Sequence, residues 1–143
     1  MKKLIRSTEQ IEAMAIINPM LCNNLTIQVE VEQRNEGPVP HVHVYHDKTR
    51  NLRKCSYVRL DKAEYSNHHK HSIPLPKNLK KQFIDVMNST WESIGVKTPT
   101  GWRSSTGYEA AVKTWVETFE HGDYSKFTFD SDGNLVSPDY NQL

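Results

Sequence analysis

No stretch of the 143 residues comes near the roughly 18 to 20 consecutive apolar residues that cross a bilayer, so a membrane-spanning helix is not expected. The opening Met1-Lys2-Lys3 gives way to Arg6, Glu9 and Glu12, and these charges break the apolar segment that a signal peptide needs. Cysteine is scarce. Cys22 and Cys55 are too few for a secreted disulfide framework and read as reduced residues of a cytoplasmic protein, the alternative being one bridge between them. An excess of charge is missing too: 18 Lys and Arg stand against 17 Asp and Glu, which leaves no global field for nucleic acid or a membrane surface. Basic residues do gather locally, at Lys48, Arg50, Arg53 and Lys54 and again at Lys77, Lys80 and Lys81. Internal repeats are absent, and the length suits one domain over residues 1–143.

The strongest period-two pattern runs from Leu25 to Gln33. Leu25, Ile27, Val29 and Val31 point one way and Thr26, Gln28, Glu30 and Glu32 the other. Asn35, Gly37 and Pro38 break the chain, and a second strand follows over Pro40 to His46. A third lies near Lys54 to Leu60, with Val58 and Leu60 toward a core and Tyr57 and Arg59 away from it. Short connections make residues 25–61 an antiparallel meander.

Helices are expected on both sides of it. A Ser7 to Gln10 capping box opens one over 6–17. The stripe Leu79, Phe83, Val86, Met87, Thr90, Trp91 and Ile94, closed by Gly95, marks another over 77–94. Thr106 and Glu109 form a second capping box, opening a helix over 106–120. Pro99 to Ser105 reads as a loop, Asp130 to Gly133 as a turn, and 137–143 as a tail. The fold class is therefore α+β: an antiparallel sheet of three or four strands with helices packed on one face.

The chemistry concentrates in Gly37 to His46. Alternation sends Val42 and Val44 inward and sets His41, His43 and Tyr45 together on the other face. One face of such a meander is commonly wet, and here it would carry Glu30, Glu32, His41, His43, Tyr45, Tyr57 and Arg59. A His-x-His pair projects two imidazoles from one side, a spacing that metal sites use, and Glu30 or Glu32 would add a carboxylate. The ion such a set could take is a divalent metal, Zn or Mn; no other cofactor is called for. The same residue types suit phosphodiester cleavage, with Glu30, His41 and His43 for proton transfer and Tyr57 and Arg59 near the developing charge. Tyr45, Glu32, Arg53, Lys54, His68 and His69 are the accompanying binding candidates. In the plainest alternative, His41 and His43 simply hydrogen-bond to Glu30 and Glu32 across the strands.

Pro38-Val39-Pro40-His41-Val42-His43-Val44-Tyr45 resembles a Pro-Pro-His-Phe-His-type motif of small uncharacterised bacterial and phage-type proteins in a domain-of-unknown-function family. The order of parts from Leu25 to Trp91 is similar as well, through Leu75-Pro76 at the helix entry. This chain departs in having Val42 for the usual phenylalanine and a His-rich insertion before Pro74. The resemblance implies a compact α+β protein associated with toxin–antitoxin or mobile-element neighbourhoods, in which His41 and His43 matter. The function expected is that of a small cytoplasmic binding protein of toxin–antitoxin, defence or counter-defence type, with no membrane partner. It would contact a nucleotide, a nucleic acid or a protein, or a second copy of itself. A small ribonuclease-like phosphodiesterase using His41 and His43 is the alternative.

Overall fold

A computed structural model describes residues 14–18, 25–67 and 72–143. The mixed α+β class is as expected, built on one four-stranded antiparallel sheet in the order β1-β2-β3-β4. Its strands are β1 (Met14–Ile16), β2 (Gln28–Glu32), β3 (His41–Tyr45) and β4 (Cys55–Arg59). Val29, Val31, Val42, Val44, Val58 and Leu60 are fully buried and join the apolar stripes of both helices in a single core. Each such side chain contributes about 1.5–3 kcal/mol by leaving water.

Helix α1 (Lys77–Asn88) buries Leu79, Phe83, Val86 and Met87. It stops at Asn88 instead of running to Ile94, because Ser89 is extended and a strand takes over. That strand, β5 (Thr90–Thr98), pairs with β6 (Gly101–Thr106), so Pro99 to Ser105 is mostly strand and not loop. A register shift between Trp91 and Gly95 explains the misleading spacing, since the bulge lets Trp91 and Ile94 mimic helical neighbours. Helix α2 (Gly107–Lys113) is capped by Thr106, whose side chain accepts from the Glu109 amide, and continues through a π-helical turn (Thr114–Thr118).

Two further expectations are corrected. Met14–Ile16, placed in the 6–17 helix, is a strand; residues 1–13 lie outside those described. The edge of β2 draws it in through ladder pairing and through Asn18, whose side chain bonds the Ile27 carbonyl and the Val29 amide at 2.8 and 2.6 Å. Nor is 137–143 a tail: Tyr140 is fully buried, its ring edge-on to Phe83 and its hydroxyl donating to the Arg59 carbonyl at 2.6 Å. Asp130 to Gly133 does turn, between β7 (Thr128–Phe129) and β8 (Leu135–Val136). Cys55 is a free, buried thiol. No described helix is long and apolar enough to cross a membrane.

Candidate metal centre

Period-two geometry sends His41 and His43 out of β3 on one side, where their rings stack with centroids 5.4 Å apart and 15° between planes. The register sets His43 opposite Glu30 on β2 and Tyr57 on β4, and His41 opposite Arg59. Tyr57 meets His43 edge-on with ring centroids 4.7 Å apart. Glu30, His41, His43, Tyr45, Tyr57 and Arg59 therefore share a face, as alternation requires.

That face is not wet. Glu30 is 0%, His41 1% and His43 6% exposed, and Tyr45 and Tyr57 are buried as well. Burying polar groups of this kind costs roughly 2–7 kcal/mol each when nothing pairs with them. The two hairpin loops meet this cost, because each returns to the face with a charged side chain that pairs with a strand residue. The loop over 33–40 brings Glu36, and the loop over 46–54 brings Arg50.

Glu36 sits between two left-handed residues, Asn35 (φ 53°) and Gly37 (φ 71°), which turn its side chain inward. Its Oε1 lies 2.6 Å from His43 Nε2 and its Oε2 3.7 Å from His41 Nε2. Burial pushes the carboxyl up, but hydrogen bonds to His41 and His43 and the charges on those rings outweigh it. The net result holds Glu36 well below the usual carboxylate range.

His41 Nδ1–H donates to the Val39 carbonyl at 2.7 Å. A carbonyl only accepts, so this bond keeps a proton on Nδ1, and an ion that displaces the proton from Nε2, the nitrogen facing Glu36, would meet a lone pair there. Metal-ligating histidines are commonly oriented in this way by an outer carbonyl. One donor atom each from Glu36, His41 and His43 lies within 4.8 Å of the other two, and all three residues are buried. The group could hold a metal ion. Neighbouring donors on a tetrahedral zinc with bonds of ~2.0–2.1 Å stand about 3.3 Å apart. The separations of 2.6 and 3.7 Å fall on either side of that spacing, so small side-chain shifts would admit an ion.

The carboxylates expected to complete the set are engaged elsewhere. Arg50 Nε donates to Glu30 Oε2 at 3.0 Å and Nη2 to Glu32 Oε1 at 3.4 Å, with the guanidinium carbon 5.4 Å from the centre of the Tyr45 ring. Burial pushes the Glu30 carboxyl up, and Arg50 offsets part of the shift. Arg59 is held by Asp61, its Nε and Nη2 donating at 2.8 and 2.7 Å. Arg53 and Lys54 are exposed on the turn leading into β4, at the Tyr45 end of β3 and not the His41 end. His68 and His69 lie outside the described residues.

Four residues join the site that were not among its expected members: Glu36, Arg50, Trp115 and His121. Asn35 and Gly37 are the only sequence signal for Glu36, because they permit the reversal that buries it. The Trp115 ring lies 5.3 Å from that of His41 and 4.2 Å from that of His121, whose Nε2–H donates to the Glu32 carbonyl at 2.7 Å. Trp115 also lines a cleft of about 500 Å3, together with Pro38, Pro40, His121, Lys126 and Phe127. Comparison with protein-family models, with curated proteins and with solved structures returns no match to this chain.

Proposed function

We propose that the protein is a small interaction protein that carries a divalent metal ion, held by Glu36, His41 and His43. The observation behind this reading is the buried pairing of two histidines with one carboxylate, His41 being set by Val39 in the tautomer that a ligand needs. Imidazole with carboxylate suits Zn or Mn. Such an ion would tie the 33–40 loop to β3 and stabilise the exposed surface around Gln33, Arg34 and Pro38 as a contact for a protein partner. A near-neutral chain with no basic field favours a protein over a nucleic acid. A cytoplasmic setting goes with the free thiol of Cys55, and a role in toxin–antitoxin, defence or counter-defence systems with the motif resemblance.

Binding is preferred to phosphodiester hydrolysis because His41, His43 and Tyr57 are buried and Arg59 is committed to Asp61. A substrate phosphate would need access to all of them. Cobalt titration tests both halves. Untagged protein should develop a visible cobalt spectrum that saturates at one equivalent and disappears in Glu36→Gln, with no turnover of RNA, DNA or cyclic nucleotides. A spectrum unaffected by Glu36→Gln would contradict the site, and turnover lost in His41→Ala would contradict the binding role.

A further inference from the structure

Glu30, Glu32 and Tyr45 make up a second constellation on the same face, beside the histidines. Two carboxylates and the face of a phenol ring converge there on a single guanidinium, that of Arg50. Carboxylate oxygens in the plane of the cation and a π face against it are the two chemistries that recognise guanidinium groups. Here the cation comes from the chain's own loop.

The fit of Arg50 is incomplete in three respects. It reaches Glu30 through Nε alone, at 3.0 Å, and its contact with Glu32 is long, at 3.4 Å. Glu30 Oε1 is left buried with no hydrogen-bond partner among the described residues, although its side chain is 0% exposed. A guanidinium free to turn would satisfy both Glu30 oxygens in a forked pair, the strongest geometry open to it. Arg50 leaves that fork unmade, and its backbone sits in the left-handed region at φ 58°, a conformation that costs a non-glycine residue free energy. Its side chain also remains 43% exposed, so nothing bulky stands between the guanidinium and solvent.

We propose that Glu30, Glu32 and Tyr45 form a receptor for a guanidinium group, that Arg50 fills it in cis as a plug, and that an arginine side chain of a protein partner is the ligand that displaces it. The orphaned oxygen of Glu30 then has a use: it is the half of the fork that Arg50 leaves unmade. Displacement would release the 46–54 loop from its left-handed turn at Arg50 while the receptor stays built on β2 and β3. The inference stands on residues other than the three proposed ion ligands, so it survives if no ion binds.

Methylguanidinium chloride at low millimolar concentration is a suitable probe, with sodium chloride at equal ionic strength as the control. Arg50→Ala should bind it at least tenfold more tightly than the wild type, as read from the NMR signals of the Tyr45 ring and from a rise in Tm. The double variant Glu30→Gln, Arg50→Ala should lose both responses. If Arg50→Ala does not fold alone, refolding in the presence of methylguanidinium should restore folded protein, with Arg50→Gln as a milder variant for the same titration. No binding above that of the double variant would overturn the proposal, as would equal affinity in the wild type and Arg50→Ala or refolding unaided by the probe.

Discussion

Burial pushes both the Cys55 thiol and the Glu36 carboxyl up, but only Cys55 ends up shifted in that direction. Enclosure beside Tyr45 and Tyr57 pushes the Cys55 thiol up from 9.0 to about 12. The native state therefore keeps its proton at a pH where the unfolded chain loses it, and stability falls as the pH rises above the ordinary thiol range. In a Cys22→Ser background, a maleimide at pH 8 should leave Cys55 unmodified in folded protein and label it on unfolding; fast labelling of that native state would show that the face is open. Glu36 is lowered, because bonds and charge from His41 and His43 outweigh its desolvation. Its ionised form stabilises the fold above the ordinary carboxylate pKa, and this contribution is lost as the pH falls through that range toward the depressed native value. Urea titrations from pH 6 down to pH 2 should show a shallower loss of stability in Glu36→Gln than in the wild type. A parallel loss in the two proteins would detach Glu36 from the histidines.

At the scale of elements, the meander over 25–61 was legible because its valines alternate without interruption and one face must be dry. The β5–β6 hairpin was not, since its bulge places Trp91 and Ile94 at a spacing that a helix also produces. Gly95 is the residue that resolves the ambiguity. It looked like a helix cap, but a Cβ there would lie 2.4 Å from both the Arg103 carbonyl and the Trp102 ring. Gly95→Ala should cost about 1–3 kcal/mol through overpacking, measurable as a fall in the urea midpoint. A neutral effect would argue against the close approach of Arg103 and Trp102 to Gly95, and so against the hairpin. The last residues misled for a different reason, because nothing local in 137–143 announces that Tyr140 docks on Phe83. Tyr140→Phe should cost about 1–3 kcal/mol by orphaning the Arg59 carbonyl, and Tyr140→Ala about 3–5 kcal/mol by opening a cavity. A tail would make both substitutions silent in thermal unfolding.

For the whole molecule, the sequence placed the right strand residues on one face but misjudged that face's environment. Alternation determines which side His41, His43, Glu30 and Tyr57 occupy; it carries no information about what two loops of irregular backbone will lay over them. Glu36 and Arg50 were hidden for that reason, each looking like a solvated loop charge until left-handed residues turned it inward. Loop reversal moved the carboxylate partner of the histidines from β2 to 33–40 and freed Glu30 and Glu32 to bind a guanidinium instead. The most direct measurement is the metal content of untagged protein by mass spectrometry after exposure to Zn or Mn and exhaustive dialysis. It should be compared with Glu36→Gln, His43→Ala and with a variant in which His68, His69 and His71 are alanine. Close to one ion per chain is expected in the wild type and in the variant altered at 68, 69 and 71, with near none in Glu36→Gln, His43→Ala that remains folded by circular dichroism. An ion retained in Glu36→Gln, His43→Ala, or none in the wild type, would show that Glu36, His41 and His43 are only a buried hydrogen-bonded group.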